Sequence, residues 1–345
     1  VAAAAGARLA GTVRIEPVDF ADPLAVRACH EVHRAAHDAD DPDGVPLSAG
    51  AFGGWLAVGW EGDPREAWAA RDEAATVTGW YRLELTDREN LDRAHLTLVV
   101  HPARRRRGIG RALLRHAVAR AAGNRRSVLG AEVFDGSAGE SFARAAGARP
   151  VLTDIRRVQD LLALDRGALA RASEQAGKAA AGYSVVSWAG PVPEEFLDGV
   201  AAAFTALGDA PRPGGSQPWA WDARRVRERH NDLLPRLGGQ RVYSVAARHR
   251  ATGELAGLTQ VWVDPAAGGQ GFQGMTAVRR EHRGHRLGLL VKVAMLELLA
   301  RAEPQLERLE TWNAADNAHM IAVNEALGYR VLGPPSRVWQ LEVQS

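Results

Sequence analysis

The stretch Leu98-Val99-Val100-His101-Pro102-Ala103-Arg104-Arg105-Arg106-Arg107-Gly108-Ile109-Gly110-Arg111 carries the reading of the fold. An apolar strand runs into a short basic turn with two glycines, and that turn becomes the start of a helix. Ile109, Leu113, Leu114, Ala117 and Val118 recur at helical spacing behind it, so a helix is expected over 110–122. Such a junction leaves several backbone N–H groups converging at the positive end of a helix dipole. Gly108 and Gly110 let the chain bend and keep side chains away from a bound anion. An anion gains about 0.3–1 kcal/mol there at the surface, and up to roughly 2 kcal/mol when partly buried. A solvated arginine face, a nucleic-acid patch and an ordinary tight turn are the competing readings. Placement between a strand and a Gly-x-Gly helix start favours the anion site, and the lack of an accompanying aromatic platform argues against nucleic acid.

Working outward, the segment sits in a pattern that occurs twice. The first half predicts a strand at 13–18, helices at 23–37 and 49–58, and strands at 66–71, 75–85 and 94–100. The helix 110–122 follows, then a strand at 127–134, a short helix at 140–146 and a strand near 151–162. The second half predicts a strand at 183–188, helices at 193–207 and 223–237, and strands at 241–248, 255–263 and 271–278. A helix at 287–302, a strand at 308–313, a helix at 319–327 and a strand at 338–343 complete it. Val100 falls on Val278 and Arg105 on Arg283, each 178 positions on. A repeat that long means duplicated domains rather than a solenoid. The expected division is 1–164, a polar Ala-rich linker helix at 165–181, and 182–345.

Composition agrees with two soluble α/β (α+β) domains. The 345 residues are 46% hydrophobic and 24% charged, with a net charge of +2, so no strong field steers the whole molecule to nucleic acid. The single cysteine, Cys29, excludes an internal disulfide and a Cys-based zinc site and is expected in the core; no metal site is expected. No apolar run reaches the ~18 residues of a membrane span. Residues 1–12 read as a loose tail without the apolar core of a signal peptide, and a cytoplasmic location is the expectation.

On these motifs the chain resembles the GNAT superfamily of N-acetyltransferases, whose acetyl-CoA loop reads Gln/Arg-x-x-Gly-x-Gly/Ala. Arg105-Arg106-Arg107-Gly108-Ile109-Gly110 matches it in full. Arg283-Gly284-His285-Arg286-Leu287-Gly288 matches with Arg286 in place of the first glycine, so that side chain must point away or itself touch a phosphate. The segment 311–329 resembles the family's later motif. The likeness is greatest to the tandem-domain actinobacterial branch that includes mycothiol synthase, without assigning that reaction. It implies two tandem domains, each a mixed, mostly antiparallel sheet flanked by helices. It implies acetyl-CoA as co-substrate, with Leu98, Val99, Val100, Arg105 to Arg107, Gly108, Ile109, Gly110 and Arg111 lining one site. Thr276, Ala277, Val278, Arg283, Gly284, His285, Arg286, Leu287, Gly288, Asn313, Asn317 and Met320 line the other. Asn317 reads equally well as a plain helix N-cap. The first half, at 135–142, lacks both asparagines, which favours the second copy as catalytic.

Acetyl transfer to an amine needs a neutral nucleophile, and a lysine-like amine of pKa ~10.4 is almost wholly protonated at neutral pH. A base, direct or through water, must take the proton. Where the family often carries a tyrosine acid, this sequence has Asn324 in the second copy and Ala143 in the first. His95 and Glu310 are the candidate bases, in direct transfer without an acetyl-enzyme. The acceptor is expected to be a small molecule with a primary amine, against the loop between the first two helices of a half. That loop offers Asp38, Asp40, Asp41 and Asp43 in one half, and Asp209, Trp219, Trp221 and Asp222 in the other. A non-catalytic acyl-CoA-binding protein and a peptide or protein acetyltransferase stay open as alternatives, and oligomeric state is left open.

Overall fold

The computed structural model describes residues 13–58, 62–236 and 238–343. The tail at 1–12 and Leu237, the end of the expected helix 223–237, lie outside the described residues. In the first half β1 (Arg14–Pro17), α1 (Pro23–Asp40), α2 (Ala49–Val58), β2 (Arg65–Arg71), β3 (Val77–Leu85) and β4 (Arg93–Val100) lead to α3 (Ile109–Gly123). Then come β5 (Val128–Phe134), α4 (Ala138–Ala145), β6 (Arg149–Asp160) and α5 (Arg166–Ala179). The second half runs β7 (Tyr183–Ala189), α6 (Leu197–Ala206), α7 (Ala223–Val226), β8 (Arg241–His249), β9 (Leu255–Val263), β10 (Gln270–Val278) and α8 (Leu287–Ala302). It ends with β11 (Arg308–Ala314), α9 (Ala318–Ala326), β12 (Arg330–Val331) and β13 (Ser336–Glu342).

Helix starts follow local chemistry. Asp22 caps α1 through the Leu24 amide ahead of Pro23, Asp165 caps α5, and Ser137 and Asn317 cap α4 and α9. The expected helix at 223–237 is a correction. Only Ala223–Val226 is α-helical, and a π-helical segment, Arg227–Leu233, and a 3-10 turn, Leu234–Arg236, follow. Pro235 has no N–H to give to the ladder, so the α pattern cannot continue through it. The expected helix at 193–207 likewise opens on a 3-10 turn, Glu194–Phe196, before α6.

The strands form one mixed sheet in the order β1-β2-β3-β4-β5-β13-β6-β11-β10-β9-β8-β7. Most neighbours are antiparallel; β4–β5 and β10–β11 are the parallel pairs. The last strand of each half has changed sides. β6 pairs with β11 of the second half, and β13 pairs with β5 of the first. β6 and β13 also pair with each other, so the sheet runs unbroken across the middle.

Helices cover both faces. On one, α1 and α2 pack Phe52 and Trp55 against Trp80, and α6 packs Val200 and Phe204 against Leu258. On the other, α3 covers Tyr81, Leu83 and Leu96, and α8 covers Val261, Val263 and Leu309. Helix α8 is apolar nearly all round because α5 lies on its outer side through Ala172 and Ala176. Each of its buried Leu and Val side chains stabilises by roughly 1.5–3 kcal/mol.

Candidate acyl-transfer site

Both strand-to-helix junctions have the same backbone. Arg106 (φ 63°) and Gly108 (φ 85°) are left-handed in the first; their counterparts, Gly284 (φ 87°) and Arg286 (φ 53°), are left-handed in the second. Gly108 and Arg286 sit at the N-caps of α3 and α8, leaving first-turn amides without intrahelical partners. Arg105 donates to the Val100 carbonyl at 3.2 Å and meets both oxygens of Asp40 at 2.7 and 2.6 Å. Arg283 repeats this with the Val278 carbonyl at 3.3 Å and Asp209 at 2.6 Å. These two arginines therefore brace the turn. Arg106, Arg107 and Arg111 stay exposed beside the first loop.

In each half the parallel pair opens into a V. β4 and β5 pair only from Arg93–Val128 to His95–Gly130, and β10 and β11 only from Gln270–Arg308 to Phe272–Glu310. The two openings differ in one arm. β3–β4 pairing is unbroken from Gly79–Val100 to Leu85–Ala94, whereas β10 carries a bulge that sets Gly274 and Met275 against Gln260 alone. A bulge interrupts the ladder and re-aims amides. Gly274 suits the tight space there, since a Cβ would fall 3.0 Å from the Trp262 indole nitrogen and the ring would have to give.

A family profile described as "Acetyltransferase (GNAT) domain" matches residues 63–146. A solved tandem GNAT protein from the clavulanic acid biosynthesis pathway is 31% identical, with a TM-score of 0.78, covering 97% of this chain and 99% of that one. The chain belongs to the GNAT acetyltransferase family. A GCN5-related N-acetyltransferase from Sphaerobacter thermophilus shares the fold at 16% identity and TM-score 0.65, each chain 96% covered. So does a GCN5-related glucosamine N-acetyltransferase region of a fungal multi-domain β-N-acetylglucosaminidase, at 15% identity and TM-score 0.66, over 96% of this chain and 38% of that one. No curated protein sequence matches it. Among the described residues no helix is long and apolar enough to cross a membrane.

In this tandem GNAT protein Glu310 stands on the last rung before the second V opens. Leu309 belongs to the α8-side core, so Glu310 projects to the other face, that of α6, with Phe272 beside it. The Trp312 indole donates to Glu310 Oε1 at 3.1 Å, and Oε2 is buried with no hydrogen-bond partner among the described residues. Burial pushes the carboxyl above its usual range, against the opposing pull of Arg156. His95 is half-buried on the matching rung of the first V, opposite Glu84. Asn324 is fully buried and donates to Asn313 Oδ1 at 2.7 Å, which fixes Asn313 at the mouth of the second V. Asn317 accepts from the Met320 amide at 3.3 Å as the cap of α9.

Around the expected acceptor loops the structure separates the candidates. Trp221 stacks on Phe204 at 4.6 Å with the Arg225 guanidinium 4.4 Å above it, so it packs on the fold. Asp222 caps α7. Trp219 is 46% exposed. In the acidic loops Asp40 is held by Arg105, Asp41 by Arg156, and Asp209 by Arg280 and Arg283, while Asp38 and Asp43 stay exposed. Cys29 is buried and its thiol is pushed up to about 12 by burial. Sequence reasoning missed the β10 bulge, for which an isolated glycine inside a strand is the available signal. It also missed Arg156, whose partner Asp41 is 115 positions away.

Proposed function

We propose that this protein transfers an acetyl group from acetyl-CoA to the primary amine of a small molecule, with the second half as the working copy. What carries this is the second V: it opens directly beyond Glu310, and its arm β10 is bulged and runs into the turn that opens α8. Members of the family use acetyl-CoA, and the residues present fit it. The first-turn amides of α8 and α3 suit a pyrophosphate, and no atom lies within 4 Å of where a Cβ would stand on Gly284 or Gly108. Asn313 and Asn317 suit the amide-bearing arm.

The bound co-substrate supplies an activated thioester. In this reading the amides of the bulge at Gly274 and Met275 would donate to the thioester oxygen, where charge develops. Glu310, raised in basicity by burial, takes the proton that the amine sheds, directly or through one water, as the C–N bond forms and the C–S bond breaks. The thiolate leaves with little need of an acid, since a thiol pKa of ~8.5 makes it a fair leaving group. Phe272, 43% exposed on the same face, offers apolar surface to the acceptor. In the second half Asp209 is paired with two arginines and Asp222 caps α7, which favours an acceptor gripped by shape rather than by a field of negative charge.

The test is release of CoA thiol against a panel of primary amines, for wild type and Glu310→Gln. Turnover that falls about 10²–10⁴-fold in the variant, with acetyl-CoA binding kept, supports the reading. Binding without turnover on any amine would replace it with an acyl-CoA-binding protein, and unchanged turnover in Glu310→Gln would remove Glu310 as the base.

A further inference from the structure

The site at Glu310 is not built by the second half alone. Arg156, on β6, and Asp41, just after α1, both come from the first half of the chain. Arg156 is 1% exposed, and its two terminal nitrogens meet the two Asp41 oxygens at 2.7 and 2.6 Å. Its Nε donates to the Leu332 carbonyl at 3.3 Å, and the Trp312 ring lies 5.5 Å from its guanidinium carbon. Two glycines let the backbone close on it: a Cβ on Gly44 or Gly333 would fall 2.8 or 2.6 Å from its terminal nitrogens. From this seat Nη1 lies 3.9 Å from the unpartnered Glu310 Oε2, within ion-pair reach and beyond a hydrogen bond.

We propose that Arg156, seated by Asp41, is a positioning residue that sets the orientation and basicity of Glu310, so that transfer in the second half depends on the first. This rests on the reading of Glu310 as the base. A direct two-pronged pair would hold a carboxylate ionised but weakly basic, and a dry site with no cation would hold it protonated; a cation kept at a distance by its own partner gives the intermediate case. Several groups face Glu310. Arg156 and apolar Val158 come from β6, Phe272 from β10, and Arg308 and Trp312 from its own strand, with Asp41 beyond Arg156. His37 stands 3.9 Å behind Asp41, and burial holds it below its ordinary range.

The experiment is the pH profile of kcat/KM for the intact chain, with acetyl-CoA and the best amine of the panel. Asp41→Asn keeps the shape but removes the charge that holds Arg156, so the cation turns to Glu310. The acid limb is then expected to move down by roughly 0.5–1 pH unit. Asp41→Asn with Arg156→Gln removes both members of the pair, takes the nearby cation away from Glu310, and is expected to move the limb up. Opposite shifts with unchanged KM for acetyl-CoA support the proposal. A limb that stays put in both variants, each melting near wild type, overturns it when Glu310→Gln still abolishes the limb. A limb that survives Glu310→Gln instead overturns the reading of the base, and this inference with it.

Discussion

Arg286 reaches back from the head of α8 to α5, where its guanidinium donates to the Gln175 side-chain oxygen at 2.8 Å. The arginine that replaces the loop's first glycine thus points away from the proposed anion site. It also keeps the left-handed backbone that a glycine would have held. Across the two copies the left-handed pair is Arg106 with Gly108, and Gly284 with Arg286, so one glycine has changed places with one arginine while the turn is preserved.

A side chain at either left-handed position has a measurable cost. A non-glycine residue in the left-handed region costs about 1–2 kcal/mol. Gly108→Ala meets no atom within 4 Å but keeps φ at 85°, so it should destabilise by roughly that amount, from conformation rather than clash. Arg286→Gly should be within about 1 kcal/mol of wild type, the relieved strain offsetting the lost Gln175 contact and the added freedom of the unfolded chain. Denaturant melts of the two variants check both, and a Gly108→Ala protein as stable as wild type would refute the backbone argument.

The two loops should be separable by charge. A carboxylate in the first turn of α3 or α8 favours the helix dipole, which offsets part of the cost of a charge at buried Gly288, and it repels a pyrophosphate at the same amides. Gly288→Asp should weaken acetyl-CoA binding by about tenfold or more and stop turnover. Gly110→Asp should weaken only the first site, where the Phe142 ring lies 3.4 Å from the new Cβ. Calorimetric titration of acetyl-CoA reads both affinity and stoichiometry. Turnover lost in Gly110→Asp and kept in Gly288→Asp would transfer catalysis to the first half.

Much of this arrangement was legible in the sequence. Helices α2 and α8 and strand β9 have the bounds that periodicity alone predicts, because each is a clean apolar block ended by glycine, proline or charge. Glu310 could be placed on the fifth strand of its half for the same reason. The exchange of β6 and β13 could not be read, since both pairings present similar alternating strands and differ only in a partner far along the chain. The Asp41–Arg156 pair was hidden likewise: each residue looks like an ordinary surface charge until the strands are laid side by side. The tryptophans were visible as anomalies, but packing alone separates them.

That separation predicts different consequences for two neighbouring tryptophans. Trp221 stacks on Phe204 and lies under Arg225, so Trp221→Ala should lose about 2–4 kcal/mol of stability. Trp219 is exposed, so Trp219→Ala should melt within about 0.5 kcal/mol of wild type. If the loop meets the acceptor, the same variant should raise the acceptor KM and leave that of acetyl-CoA alone. Unchanged KM for both would remove Trp219 from the acceptor site.

A buried lysine predicts how stability changes with pH. Lys292, one turn along α8 from Gly288, is 3% exposed, with the Tyr329 ring 5.0 Å from its ammonium. Burial brings its pKa down from 10.5 to about 7. Below pH 7 the ammonium is charged in both folded and unfolded chains, and the full cost of burying it is felt. Between about 7 and 10.5 the unfolded chain binds a proton that the folded one does not, so stability rises with pH, by roughly 1.4 kcal/mol per unit at most. Lys292→Met keeps the volume without the charge. It should stabilise the protein by a few kcal/mol at pH 6, by much less at pH 10, and flatten the dependence between them. Melting curves across that range decide it, and a gain equal at both ends would show that packing, not ionisation, sets the cost of this residue.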